Sequence, residues 1–363
     1  MKKELKKEYG ITLVALVITI IILLILAGIS IQTLAQTNLF NQAKQAKNAT
    51  ENAQKEENKI LSEYIDKTNE YLPETLAYKV NSGEVAIGSY IKYEPDEVSE
   101  ETINNLITEL GTYSGSNENT KSTLAQEKLN WRVLDVKDGE VRLISEVPTT
   151  SLITLFGYNG CNNAVKLLDA TSSTLYNNSK LASKVQNLKI EDITAHMKTQ
   201  PTEDTAEYKP ANINYPKILE QEEKQTVENS RTGNKLKLSE QNEFVTGKEI
   251  STTSTLKNTY WYKTMTPEDF NSKYYELFIN NGSNYQTYWM SSRCIIAYSD
   301  LARFNVRVVN IGYVDAHGLY YSDEREYLGA FAFRPVITLN SNVQIDTANS
   351  GNGSTANDEY AIK

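Results

Sequence analysis

The chain has 363 residues, of which 40% are hydrophobic and 23% are charged, a composition that is ordinary for a globular protein. This length allows two folding units and a sizeable core. The formal net charge of -9 and the pI of about 5.1 argue against nucleic acid as a partner, because affinity for phosphate comes from clustered Lys and Arg.

The first predicted element is an apolar helix that begins at Ile11. Residues 11–31 read ITLVALVITIIILLILAGISI and carry no charge over 21 residues, so a helix here would span about 30 Å, the thickness of a bilayer core. The basic residues nearest to this segment are Lys2, Lys3, Lys6 and Lys7 before it and Lys44 and Lys47 after it. The positive-inside rule then predicts a single-pass cell-membrane protein with a cytoplasmic N-terminus and an extracellular C-terminal domain.

Two other interpretations compete for this segment. A secretory signal peptide usually has an apolar region of about 7–15 residues, which is shorter than this one. A plain signal anchor predicts the same topology. The boundary favours a third interpretation: the basic leader MKKELKKEYG ends in Gly10, and the apolar segment starts directly at Ile11.

This boundary resembles the prepilin peptidase site of type IV pilins and pseudopilins, including variants from Gram-positive, Clostridia-type bacteria. The resemblance implies cleavage after Gly10 and methylation of the new N-terminus at Ile11. That family usually carries Glu at the fifth mature position, where this chain has Ala15. The missing carboxylate argues against a long filament and favours a minor or tip subunit, or a monomeric display protein.

Helix-like spacing of apolar residues continues beyond the apolar segment as far as Leu72, and Pro73 ends it. We therefore expect a leader at residues 1–10 and one transmembrane and stalk helix at residues 11–72. The predicted fold class is α+β, with this long helix followed by a mainly antiparallel, β-rich globular head at residues 77–346.

The head contains one clear hairpin signal, in which residues 131–136 and 140–145 flank Asp138-Gly139. Residues 165–197 look helical in two pieces, and residues 200–256 form a polar insertion. Strand character returns between residues 288 and 339, where Arg334 is interpreted as a structural arginine held by a buried carboxylate. The tail, residues 347–363, is flexible and ends in a short strand at residues 360–362.

Four motifs of the head, WRVL at 131–134, LIS at 143–145, YWMSSR at 288–293 and FRPV at 333–336, are similar to a family of bacterial extracellular domains known as DUF6273. The function of that family is not established, so the resemblance implies a domain type and no activity. Its late pattern is loosely similar to C-type-lectin-like folds.

No motif for a nucleophilic serine, a phosphate loop or a dinucleotide site is present, so we expect no enzyme. Cys161 or Cys294 could form a thiol dyad with His196 or His317 only if the fold brought them together. Their spacing is not typical of zinc ligands, and we expect no metal and no cofactor. A disulfide stays open, with two buried free thiols as the preferred interpretation.

Tyrosine is abundant, with 23 Tyr against 8 Phe and 3 Trp. The segment from residue 293 to 327 combines many of these rings with arginines, a mixture enriched at recognition surfaces. The candidate ligand-binding residues are Trp289, Arg293, Tyr298, Tyr313, Tyr320 and Tyr321, and the same segment holds Arg303, Arg307, Arg325 and Tyr327. The alternative is that half of these rings fill the core.

Together these features predict a type IV pilin-like or pseudopilin-like surface subunit that displays an extracellular binding or adhesion head. The alternative is a monomeric, membrane-anchored ligand-binding module that enters no pilus. The expected partners are membrane lipid, prepilin peptidase, pilin subunits and an unidentified extracellular ligand.

Overall fold

The computed structural model describes residues 53, 74–199, 226–228, 235–240, 244–247, 250–252, 263–271, 273–279, 286–297, 302–310, 312–321 and 323–363. The chain divides into two compact units, Met1–Ile65 and Asp66–Lys363. Only Ala53, in helical conformation, is described in the first unit.

The strands are β1 (Tyr90–Lys92), β2 (Trp131–Lys137), β3 (Glu140–Ser145), β4 (Ile153–Phe156), β5 (Ala182–Asn187), β6 (Thr226–Glu228), β7 (Lys235–Glu240), β8 (Ile250–Thr252), β9 (Lys263–Thr264), β10 (Tyr288–Ala297), β11 (Ala302–Asn310), β12 (Tyr313–Tyr321), β13 (Leu328–Phe333), β14 (Pro335–Leu339) and β15 (Tyr360–Ala361). The helices are α1 (Leu76–Asn81), α2 (Glu100–Tyr113), α3 (Gly157–Tyr176), α4 (Ile190–Thr194) and α5 (Tyr274–Phe278), with a 3-10 turn at Pro267–Asp269.

Two six-stranded sheets form the body of this unit. The first has the order β15-β1-β2-β3-β14-β5 and the second the order β4-β13-β10-β11-β12-β9. Most of the pairings are antiparallel, while β1 with β15 and β10 with β13 are parallel. A separate small sheet, β6-β7-β8, lies within the predicted insertion.

Both faces of the first sheet are buried. Val133 and Leu143 belong to a core cluster that also contains residues of α3, whereas Leu134 and Ile144 belong to a second cluster with residues of α4 and α5. Successive side chains of a strand point to opposite faces. A sheet covered on both sides therefore explains why β2 and β3 carry continuous apolar runs instead of alternating ones.

The predicted hairpin of β2 and β3 is confirmed, with antiparallel pairing from Trp131↔Ser145 to Lys137↔Glu140. Asp138 and Gly139 have φ values of 53° and 81°. Both central residues of this two-residue turn thus lie in the left-handed region, which a short acidic residue and glycine tolerate. The short strand expected near the end of the tail is also confirmed, as β15.

Arg334 lies where the chain passes from the second sheet into the first, between β13 and β14. Its side chain is 0% exposed, and its guanidinium donates to the carbonyl oxygens of Ser145 at 2.9 Å and Phe278 at 3.1 Å. The predicted structural role is confirmed. Its partners among the described residues are main-chain carbonyls and the Tyr288 hydroxyl at 3.5 Å, however, and not the carboxylate that we expected.

The predicted fold class is wrong for the structure that is described. A β-rich globular unit with short helices replaces an α+β chain led by a long helix, and α3, with 20 residues, is the longest helix of the described part. No helix within the described ranges combines the length and apolar character needed to cross a membrane. The single-pass membrane location and the surface or pilus display predicted with it are corrected on this finding.

The predicted leader and the predicted transmembrane and stalk helix, residues 1–72, lie outside the described residues except for Ala53. The processing residues Gly10 and Ile11 and the departure at Ala15 fall in the same part. Most of the insertion at residues 200–256 is likewise outside, apart from β6, β7, β8 and residues 244–247.

The two helical pieces expected at residues 165–197 are only partly present. The helix α3 begins earlier, at Gly157, and the strand β5 takes the place of the predicted second piece, leaving α4 with 5 residues. The reason is tertiary, because β5 pairs along β14 and completes the edge of the first sheet.

Candidate binding surface

The structure separates the six candidate binding residues by burial. Trp289 is 0% exposed, Arg293 3% and Tyr320 2%, so these three contribute to the interior and not to an open face. Tyr313 and Tyr321 are half-buried, and Tyr298 lies outside the described residues. Among the six, Tyr321 contacts the exposed side chains of Arg325 and Tyr327.

Trp289 is fixed inside the second sheet. Its indole N–H donates to the carbonyl oxygen of Ile153 at 2.8 Å, and its ring contacts those of Phe331 and His317 at 4.6 and 5.8 Å. Tyr320 packs edge-to-face on Tyr158, with ring centroids 5.4 Å apart. Burial raises the pKa of Tyr320 to about 12, which leaves its hydroxyl protonated at neutral pH.

Tyr321, at the end of β12, stands directly opposite Arg303 of β11 in the antiparallel ladder. Cross-strand partners of this kind are close enough to interact, and the Arg303 guanidinium lies 4.8 Å from the centre of the Tyr321 ring. The Arg325 guanidinium lies 5.0 Å from the same ring. Two cations therefore contact one tyrosine ring.

The turn after β12 places Arg325. The amide N–H of Glu324 donates to the carbonyl oxygen of Tyr321 at 2.9 Å. The amide N–H of Tyr321 donates to the carbonyl oxygen of Arg325 at 3.0 Å. Glu324 takes a φ of 71°, a left-handed conformation that reverses the chain within this turn. Asp323 accepts a 2.7 Å bond from Arg325 Nε, which holds the guanidinium beside the ring.

Tyr327 and Leu328 continue the cluster at the start of β13. The rings of Tyr327 and Tyr321 are 4.6 Å apart and tilted by 41°. Tyr327 is 37% exposed and Leu328 41% exposed, and Val147 is the other exposed large hydrophobic residue of the described part. We call the set Arg303, Tyr321, Arg325, Tyr327 and Leu328 the aromatic–arginine surface.

His317 contacts the backbone of the aromatic–arginine surface at Leu328. Its Nε2 lies 3.0 Å from the carbonyl oxygen of Leu328, and its ring packs against Phe331 at 5.1 Å. Burial lowers the pKa of His317, so the imidazole is neutral near pH 7. A neutral ring that donates to this carbonyl fixes the backbone of Leu328 without adding charge.

The charges around the surface are mixed. Asp323, Glu324 and Glu326 stand beside Arg303 and Arg325 in the same two strands and turn. Of these, Glu326 accepts from the amide of Tyr158 at 3.4 Å, at the start of α3. The arrangement therefore has an apolar and aromatic centre with charged neighbours of both signs, which is the usual composition of a contact surface for another protein.

The cysteines and histidines do not form the dyad considered from the sequence. Cys161 and Cys294 are free and buried, as preferred, and burial raises the pKa of Cys161 to about 12. Cys161 donates its thiol to the carbonyl oxygen of Asn305 at 3.9 Å, while His196 bonds to Asp135 at 2.8 Å. Both thiols are therefore protonated at neutral pH.

Sequence reasoning found part of this surface. The stretch rich in Tyr and Arg contains four of its five members, and the fifth, Leu328, gave no signal because a single leucine before a strand is ordinary. Which rings of the stretch would be exposed depends on the sheet register and on α3. Neither can be inferred from tyrosine content.

Comparison with known proteins gives no relative: no protein-family model matches the chain, and neither a similar curated protein nor a similar solved structure was found. The resemblances to pilins and to DUF6273 thus gain no support from this comparison.

Proposed function

We propose that the β-rich unit is a binding module without catalytic chemistry, which recognises a protein partner through the aromatic–arginine surface. The supporting observation is that the exposed Tyr327 packs against a tyrosine ring that two guanidinium groups contact, and that the next residue, Leu328, is also exposed. Such a ring is already ordered, so little side-chain entropy remains to be lost on binding.

The chemistry of the surface favours a protein over a small ligand. Tyrosine and arginine are the residues in which binding energy is most often concentrated at protein interfaces. The aromatic–arginine surface presents them on two paired strands and a tight turn, beside Leu328 and not within a closed cavity. The exposed carboxylates of Glu324 and Glu326 would then form a polar rim around the contact.

The absence of enzymatic activity is part of the proposal. The two cysteines, which are the strongest nucleophiles available, are buried as thiols, and His196 is already engaged by Asp135 and stacked on Tyr274 at 3.9 Å. These contacts support a structural role for each group. Assembly with pilin subunits and processing at Gly10 and Ile11 stay predictions, and the present proposal does not depend on them.

Site-specific photo-cross-linking tests the proposal. A photoreactive phenylalanine at position 328 should give a discrete adduct in cells of the source organism, and the captured protein is then purified. Tyr327→Ala and Arg303→Ala should each weaken its binding to the full chain by about tenfold or more, because truncation of a central contact costs over about 1 kcal/mol.

The matched control is Val147→Ala, which removes the exposed large hydrophobic residue outside the aromatic–arginine surface. Its affinity for the captured protein should stay within about twofold of the parent chain. The proposal fails if no adduct forms at position 328, or if the control loses as much affinity as Tyr327→Ala.

A further inference from the structure

A groove lies at the point where β1 and β2 stop pairing. The ladder between them contains the pairs Tyr90↔Arg132 and Ile91↔Trp131. Beyond it the segments 92–97 and 126–130 diverge, and the loop 356–359 supplies a third wall. The open groove has a volume of about 660 Å³, which is within the usual range for ligand pockets.

Gln126 closes the far end of the groove. Its side-chain amide donates to the carbonyl oxygens of Asp96 at 2.8 Å and Leu175 at 2.7 Å, and its oxygen accepts from the amide of Val98 at 3.0 Å. Gln126 therefore links the segments 92–97 and 126–130 at the far end of the groove. A gap fixed at both ends is preformed and does not need to open before a ligand enters.

Residues 127–130 form one wall of the groove and lead directly into β2. The main-chain N–H and C=O groups of Lys128 and Leu129 make no hydrogen bond to any residue that the structure describes. Extended backbone with open donors and acceptors is what a peptide strand pairs with when it adds to a sheet.

The side chains that line the groove carry an excess of negative charge. Four glutamates, Glu94, Glu97, Glu127 and Glu359, face two lysines, Lys92 and Lys128. The Glu127 carboxylate already accepts two hydrogen bonds, from the amides of Thr150 at 2.8 Å and Ser151 at 2.7 Å. Lys92 pairs with Glu94 at 3.6 Å, which leaves Glu97 and Glu359 as the carboxylates for a cationic ligand.

Glu359 is half-buried. Burial raises its pKa, although Lys92 and Lys128 act in the opposite direction. A partly desolvated carboxylate gains more from a cationic partner than a fully hydrated one does, because the local dielectric is lower.

A buried polar atom without a partner lies next to a residue that lines the groove. Tyr93, a lining residue, packs edge-to-face on Trp131 with ring centroids 5.3 Å apart. The indole N–H of Trp131 is buried and has no hydrogen-bond partner in the described part. Buried groups of this kind usually bind an ordered water or a ligand.

We infer that this groove binds an extended peptide segment with basic side chains, which pairs as a strand through the main-chain groups of Leu129, on the same edge as Trp131, and places a Lys or Arg side chain against Glu97 and Glu359. At about 3.3 Å per residue, the wall from 126 to 130 accommodates about five peptide residues. This site is separate from the aromatic–arginine surface, so either can fail without the other.

An array of capped hexapeptides tests the inference on the full chain. The hexapeptides fall into three classes, in which valine alternates with Lys (Val/Lys), Glu (Val/Glu) or Ser (Val/Ser). Binding is measured by fluorescence anisotropy. The Val/Lys peptides should bind at least about tenfold tighter than the Val/Glu peptides. N-methylation of alternate residues of the best peptide should lower its affinity by about tenfold, since it removes the N–H groups needed for strand pairing.

The variant Glu97→Gln/Glu359→Gln should weaken binding of the Val/Lys peptide about fivefold, whereas Glu100→Gln/Glu101→Gln, on the first turn of α2 and outside the groove, should leave it unchanged. The inference is overturned if no peptide class binds, if Lys and Glu peptides bind equally, or if N-methylation has no effect. Binding of chitohexaose or cellohexaose, without binding of any peptide, would also overturn it.

Discussion

Two buried arginines, Arg293 and Arg334, differ in how their guanidinium groups are hydrogen bonded. Arg334 donates to the carbonyl oxygens of Ser145, Glu146 and Phe278. Arg293 donates through Nη1 to the carbonyl oxygen of Asn162 at 3.1 Å, while its Nε and Nη2 have no partner among the described residues. Burial lowers the pKa of Arg293 to about 10, and the guanidinium still carries its charge at pH 7.

This contrast predicts opposite effects of the same substitution. Arg293→Met should raise the free energy of unfolding by about 1–3 kcal/mol, because it removes a buried charge with little compensation. Arg334→Met should lower it by about 3 kcal/mol or more, because several buried carbonyl groups lose their donor. Urea denaturation with an unchanged m-value measures both. Equal destabilisation by the two variants would contradict this account of Arg293.

At the scale of single residues, the sequence best predicts those conformations that depend only on neighbouring residues in the chain. Asp138-Gly139 predicted a tight turn because few residue pairs tolerate two left-handed conformations in succession. The burial of Trp289 and Tyr320 could not be predicted in the same way. Whether an aromatic residue on a strand faces the core or the solvent depends on which elements cover each face, and that information is spread over the whole chain.

A buried ionic cluster joins three elements of the fold. Arg142 of β3 contacts Asp135 of β2 and Asp192 of α4, and His196 bonds to Asp135. The Arg142 and Asp135 side chains are 7% and 11% exposed. Removing one partner from such a cluster leaves the other charges uncompensated.

The cluster predicts how stability depends on pH. Burial alone would raise the pKa of Asp135, but hydrogen bonds from His196 and Arg142 outweigh it and hold the pKa below its usual value. An aspartate whose folded pKa is depressed contributes stability above its unfolded pKa of about 3.9, and this stability is lost as the pH falls through the folded pKa. Asp135→Asn should therefore cost about 3–5 kcal/mol at pH 7 and make the loss of stability below about pH 4 shallower.

Urea denaturation at pH 7, 5, 4 and 3 measures this effect. The control is Glu191→Gln, on the exposed face of α4 beside Asp192, which should follow the parent chain at every pH. If Asp135→Asn is as stable as the parent chain at pH 7, or if it loses as much stability between pH 5 and pH 3, the cluster does not stabilise the fold in this way.

Among the elements, periodicity identified β2, β3 and most of the late strands but not β5. The residues of β5, ASKVQN, carry little strand character of their own. They form a strand because β14 offers an open edge with which they pair from Pro335↔Asn187 to Leu339↔Ala182. Such an element is specified by its neighbour, and a local pattern does not reveal it.

At the scale of the molecule, the order of the strands in each sheet could not be predicted from the sequence. The first sheet combines strands from both ends of the unit, since β15 pairs with β1 and β14 lies between β3 and β5. The groove depends on this order, because its three walls come from residues near 95, 128 and 357. No spacing between these segments in the sequence indicates that they meet.

The same topology predicts that Asp66–Lys363 folds without the residues before it. The first and last described stretches of this unit are held by main-chain hydrogen bonds: the amide of Leu76 donates to the carbonyl oxygen of Val343 at 2.8 Å, and β15 pairs with β1. A chain of residues 66–363 should therefore unfold cooperatively within about 2 °C of the full chain in calorimetry.

A chain that starts at residue 83 is the control. It loses α1 and the buried side chains of Leu76, Ala77 and Val80, whose burial contributes about 4–6 kcal/mol together, and it should unfold roughly 10 °C lower. If the 66–363 chain aggregates or melts as low as the 83–363 chain, its stability depends on the preceding residues and this prediction is wrong.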